Sequence, residues 1–333
     1  MPQELVHILF APGRTVQRRR RTSPGCVVCV WTALTFITCA SFASAHPGAH
    51  HDIERATEAL AASPSDVDLL VRRAHLYRIE GQLPESLLDL DRARKIAPER
   101  SDVILQRGLT LSAMGKDAEA EIELGRVIHE AESARQAYTE RGHIRARTDR
   151  PVEAIADYDE VLRRAPQMEL CLVRGRRQES IGRLDDAAKG YRDGIARLRG
   201  APLLKIELVR VEITRKQYDV ALKLIDEELD RAPIKTDWLR RRAEALAVAG
   251  KNTEAQNEFG RALTEANRVL AKRKTANHLL ARAKIYHAMG RLEAAREDLE
   301  SVLRESPALP AALELEKKLK QETLPVVQRS TGK

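Results

Sequence analysis

The sequence predicts an all-α solenoid, a stack of antiparallel helix pairs laid down in chain order. Three observations carry that expectation. Turn-type residues recur at a fixed beat: Gly81 and Gly115 stand 34 apart and Asp149 continues the series; Gly182 follows after 33, Lys216 and Gly250 after 34 each, and Gly290 after 40. Prolines keep the same period, with 34 residues from Pro64 to Pro98 and 68 more to Pro166, Glu132 holding the place between. The composition is 32% charged and 4% aromatic over 333 residues, with 17 glycines and 14 prolines. That balance suits long exposed helices better than a β-sandwich or a low-complexity linker. A period of this length, held over several copies, is the mark of a repeat architecture.

The first element is an export segment over residues 1–45. "RRRRTSPGCVVCVWTALTFITCASFASA" joins a cationic start (Arg18 to Arg21), an apolar stretch (residues 27–42) and the small residues Ala43 and Ala45 in A-x-A register. Those three parts make a secretory signal. Cleavage after Ala45 leaves His46 as the new N-terminus, a periplasmic or secreted chain, and no membrane span afterwards. The apolar run with its flanks approaches the roughly 20 residues that cross a bilayer. A retained signal anchor, with the repeats displayed outside the cytoplasm, is therefore the alternative. Cys26, Cys29 and Cys39 fall inside this export segment, which leaves Cys171 alone in the remainder, so no intramolecular disulfide is predicted there.

Residues 46–51 form a short histidine-rich start. Residues 52–66 then read as a lone second helix, a half-repeat with Asp52 as its N-cap and Ala59 and Pro64 in register. Seven units follow, at 67–100, 101–134, 135–167, 168–201, 202–235, 236–275 and 276–309. In six of the seven, a small residue lies seven places before the turn: Ala74, Gly108, Gly142, Gly175, Ala243 and Ala283. Five places after the turn stand Ser86, Ala120, Ala154, Ala187, Ala221, Ala255 and Ala295. Larger residues recur further on, namely Leu90, Leu124, Tyr158, Tyr191, Ile225, Phe259 and Leu299. Small residues on facing surfaces let two helices approach closely, and the large ones fill the space between neighbours. The sixth unit holds about six extra residues, read as a lengthened second helix. Residues 310–323 form a polar capping helix, which an array needs to close its last apolar face. Residues 324–333 are a tail.

The phrases "GQLPES", "GRLDDA", "KQYDVA" and "GRLEAA" at the turns, with the small residue, the alanine and the closing proline, resemble the tetratricopeptide repeat (TPR). The resemblance, to an exported bacterial-type TPR protein, covers about four-fifths of the chain. It implies a right-handed α-solenoid of about seven TPR helix pairs, with the first helix of each unit lining a concave groove. It also implies a non-enzymatic protein–protein interaction scaffold that binds a peptide or protein segment there. Carried onto this sequence, the groove positions are His75, His143, Arg147, Arg176, Arg210, Arg240 and Arg241. A basic middle flanked by aliphatic residues points to an acidic and apolar partner segment. Pairing with Glu179, Glu207 and Glu244 is the competing account of the same arginines.

Charge and motifs exclude other classes. The whole chain carries +8, but residues 1–45 hold five arginines against one acid, so the remainder is 52 basic against 48 acidic residues. A net of +4 spread along a long mixed surface is not a nucleic-acid footprint. There is no P-loop, no G-x-S-x-G and no His-Glu-x-x-His, so no enzyme is predicted. His46, His50 and His51 are the candidate metal ligands. A terminal histidine with two more nearby suits copper or zinc, so a metal-binding extracytoplasmic protein is one alternative function. A membrane-anchored assembly factor is the other.

Overall fold

The structure is a computed structural model, and it describes residues 47–323. The expected signal segment, His46 and the tail 324–333 lie outside the described residues. Within them the chain forms only helices and turns.

The helices come in antiparallel pairs. Each first member, here helix A, precedes its partner, helix B, across a short turn: α2 (Val67–Ile79) with α3 (Leu83–Ile96), α4 (Ser101–Ala113) with α5 (Asp117–Val127), and α6 (Ala134–Arg147) with α7 (Pro151–Arg164). The series continues with α8 (Met168–Ser180) and α9 (Leu184–Arg197), α10 (Pro202–Thr214) and α11 (Tyr218–Arg231), α12 (Thr236–Val248) and α13 (Asn252–Lys272), and α14 (Ala276–Ala288) and α15 (Leu292–Glu305). A single helix, α1 (Pro47–Ala62), precedes the seven pairs, and α16 (Pro310–Thr323) follows them. The extra residues of the sixth pair lengthen α13 to 21 residues.

The beat of turn residues is a beat of backbone conformation. Gly81, Gly115, Gly182, Gly250 and Gly290 all take φ between 72° and 79°, and Asp149 (58°) and Lys216 (62°) do the same without being glycine. Only a left-handed residue lets the chain close helix A by hydrogen bonds such as Gln82 N–H to Tyr77 O, at 2.8 Å, and turn straight into helix B.

The small-and-large pattern is the interior of each pair. Tyr158 and Tyr191 are fully buried, and so are Leu90, Leu124 and Ile225. Each tyrosine ring rests on a glycine: a methyl at Gly142 would lie 2.5 Å from Tyr158 Cε1, and one at Gly175 2.3 Å from Tyr191 Cζ. Where the large residue is Leu90 or Leu299, the facing position is alanine, Ala74 or Ala283, each 0% exposed. Leu124 likewise lies on a glycine, Gly108, where an added methyl would stand 2.9 Å from its side chain, so small residues make room for the large ones in each of these pairs.

At the N-terminus the structure departs from the expectation. Helix α1 starts at Pro47, where a proline with no N–H to satisfy suits the first turn. His50 and His51 are therefore helical, and Asp52 lies inside the helix, paired with Arg55, instead of capping it.

Candidate binding groove

Helices A of neighbouring pairs touch one another, α2 with α4, α4 with α6, α8 with α10, α12 with α14, and α14 with α16. Elements that meet in this way form the inner row of a curved stack, so their outward residues share one surface. Two hollows lie on it. One of about 620 Å³ is lined by Arg78, Leu109, Arg135, Thr139 and Glu140, with Pro166 at its far wall. The other, about 450 Å³, lies where α10, α12 and α14 meet α16, lined by Arg210, Arg240, Arg241, Glu244, Lys284 and Lys318, among others.

The structure pairs every arginine predicted for the groove with carboxylates. Arg147 holds Asp117 at 2.5 Å and donates to Ser112 Oγ at 2.7 Å. Arg176, 65% exposed, holds Glu207 at 2.9 Å; Arg210 reaches Glu179 and Glu207, both at 2.7 Å. Arg240 is buried between Asp237, at 2.7 Å, and Glu244. Arg241 holds the other oxygen of Asp237 at 2.7 Å and lies over the Trp238 ring. The middle of the groove is therefore a lattice of ion pairs, not an open basic stripe. The reason is register: an arginine on one helix A reaches acids about 31 positions away on the neighbouring helix A, forward from Arg176 to Glu207 and back from Arg210 to Glu179.

These pairs set the local acidities. Burial raises the Asp237 carboxyl, but Arg240 and Arg241 outweigh it and hold that group down at about 2. Burial also raises Glu207, and Arg176 and Arg210 bring it below its ordinary range. Lys284 has no carboxylate within ion-pair distance among the described residues; burial, with Arg240 adding repulsion, pulls its ammonium down.

The two groove histidines do not join this cluster. His75 Nδ1 accepts from Arg78 at 3.0 Å, and His143 Nδ1 lies 3.1 Å from the Tyr158 hydroxyl. Burial pushes that hydroxyl up to about 12. Three lining cations escaped the sequence reading, Arg78, Arg135 and Lys318. Lys318 carried a signal: it stands 34 residues after Lys284, because α16 continues the helix-A register.

At the histidine-rich start, His50 and His51 are exposed and both face Glu54, at 3.4 and 3.7 Å. Among the described residues no group of three His, Cys, Asp or Glu is placed to hold a metal ion. Cys171 is buried, and burial raises its thiol. No described helix is long and apolar enough to cross a membrane.

A family model described as tetratricopeptide repeat matches residues 105–169 and 242–310. The search of curated proteins returned no match. Among solved structures, a tetratricopeptide repeat protein from Parabacteroides merdae is 18% identical, over 76% of this chain and 98% of that one, with a TM-score of 0.45. The C-terminal part of a TPR repeat-containing protein from Cytophaga hutchinsonii is 14% identical over 80% and 94%, with a TM-score of 0.46. A Naa15/Naa10 structure bound to HypK-THB matches at 14% identity over 76% and 39%, also with 0.46.

Proposed function

We infer that this array of tetratricopeptide repeats is a non-catalytic scaffold that holds a protein segment along its helix-A face, outside the cytoplasm. Protein–protein interaction is the role such repeats suggest. The observation that supports the groove is the pair of hollows on one continuous surface, one at each half of the array. The partner we propose has apolar side chains for the Leu109 hollow and acidic ones for Arg78, Arg135 and Lys284. Charges already paired across the groove resist a purely electrostatic ligand, because a new acid must displace Glu179, Glu207 or Asp237. Recognition then rests on shape and on the few uncommitted cations. The extracytoplasmic setting rests on the sequence of residues 1–45.

The test is a peptide selection against the full chain. Selected peptides should lose binding to Leu109→Glu and to Arg135→Glu, and keep it to Leu88→Glu, a substitution at an exposed leucine of helix B. Equal binding to all three variants would remove the groove assignment. The location is tested separately by the mass of the N-terminus of protein recovered from cells: His46 as first residue supports export with cleavage, and an intact leader refutes cleavage.

A further inference from the structure

Five of the seven helix pairs contain the same buried ion pair, an arginine on helix A and an acid 16 residues later on helix B. Arg73 clasps Asp89 with two hydrogen bonds of 2.7 Å, and Arg282 clasps Asp298 at 2.8 and 2.7 Å. Arg141 holds Asp157 at 3.0 and 2.6 Å, Arg107 reaches Glu123 at 2.8 Å, and Arg242 reaches Glu258 at 3.0 Å. In the fifth pair both partners are replaced together, by Leu208 and Leu224. That exchange is benign, since an apolar pair substitutes well for a buried ion pair.

The fourth pair breaks the rule in the costly way. Arg174 is kept, but the acid's position is Gly190. One arm of Arg174 reaches the half-exposed Asp159 at 2.7 Å, while its buried Nε–H has no partner. The guanidinium leans over the glycine, so that a Cβ there would lie 2.2 Å from Nη2. Beside it opens a cleft of about 260 Å³ between α7, α8 and α9. Its charged lining is Arg163, Arg174 and Arg197 against Asp159 and Asp193, an excess of one cation. Arg163 is held by Glu160, whereas Arg197 donates only to the Leu162 and Arg163 carbonyls.

We propose that this cleft is a carboxylate-binding site, in which the ligand occupies the place that Asp89, Asp157 and Asp298 fill in the other pairs. A carboxylate matches the bidentate fork those acids already satisfy. Arg174 needs only to swing its guanidinium back from Gly190 to the position Arg141 holds. The ligand is a small free acid or an aspartate or glutamate side chain of a partner; the chemistry is the same.

The experiment is nitrogen-detected NMR of arginine Nε–H groups in the full chain, titrated with sodium acetate and, at matched ionic strength, with sodium chloride. The Arg174 signal is assigned by its loss in Arg174→Lys. It should move saturably with acetate and stay still with chloride. In Gly190→Asp, where a resident carboxylate takes the place, acetate should bind about tenfold more weakly or worse, the loss of one charge-assisted contact. Thermal unfolding in the same solutions is the second measurement: acetate should raise the melting temperature of the native chain above its value in chloride, and not that of Arg174→Gln. A capped tripeptide with a central aspartate separates the sources, since binding of both ligands admits a partner's side chain and binding of acetate alone restricts the site to small acids. An unmoved Arg174 signal, or acetate responses in Gly190→Asp and Arg174→Gln equal to that of the native chain, would overturn the proposal.

Discussion

Gly175→Ala is the sharpest test of the packing. A methyl built on Gly175 meets three atoms of Tyr191, Cζ at 2.3 Å and Cε1 and Oη at 2.4 Å each. Carbon atoms at rest sit about 3.5–4.0 Å apart, so the ring would have to retreat by more than an ångström. It has nowhere to go: Tyr191 is 0% exposed, and its hydroxyl donates to Glu179 at 3.0 Å. Overpacking of this kind costs about 1–3 kcal/mol, and loss of a hydrogen bond to a charged group about 1.5–3 kcal/mol. Against this, alanine is the better helix former by about 1 kcal/mol. The net expectation is destabilisation of about 1.5–5 kcal/mol. The control is Gly260→Ala, also mid-helix, where nothing lies within 4 Å of the new methyl. It should gain up to about 1 kcal/mol. Urea unfolding followed by circular dichroism ranks the two. In a Tyr191→Leu background, alanine at 175 should become neutral or favourable, because Ala74 with Leu90 and Ala283 with Leu299 already use that combination. The reasoning fails if Gly175→Ala is no less stable than Gly260→Ala, or if Tyr191→Leu leaves its penalty unchanged.

Three further expectations follow from the same geometry. Asp157→Ala strands Arg141 and Arg145 around a 3% exposed site, and should cost about 3 kcal/mol in denaturant unfolding; Asp157→Leu with Arg141→Leu, copying Leu208 and Leu224, should recover most of it. Lys216 holds a left-handed φ of 62° that costs a side-chain-bearing residue about 1 kcal/mol, so Lys216→Gly should raise the unfolding midpoint, and a fall would refute the strain. Asp237 has a folded-state pKa depressed from 3.8 to about 2, so its stabilisation is present above pH 3.8 and lost as pH falls through about 2. The stability difference between the native chain and Asp237→Asn should therefore narrow between those two pH values, and a constant difference would show that the carboxylate is not held by Arg240 and Arg241.

The sequence by itself determined the architecture. Period, turn residues and the small-to-large alternation are local properties, each set by a backbone conformation or by two helices joined by one turn, so they repeat visibly along the chain. Even the two turns without glycine, at Asp149 and Lys216, were legible from their place in the beat. The character of the groove was not legible in the same way. Arg176, Arg210, Arg240 and Arg241 form a basic run as letters, yet each is neutralised by an acid on its own helix or about 31 residues away on the next. Which groups remain without a partner, the Lys284 ammonium in the groove and the Nε–H of Arg174 beside Gly190, depends on how far each side chain reaches once the pairs are stacked. Helix formation is decided within a turn and pair packing within about 34 residues. Electrostatic balance acts through space between units, and only the tertiary structure decides it.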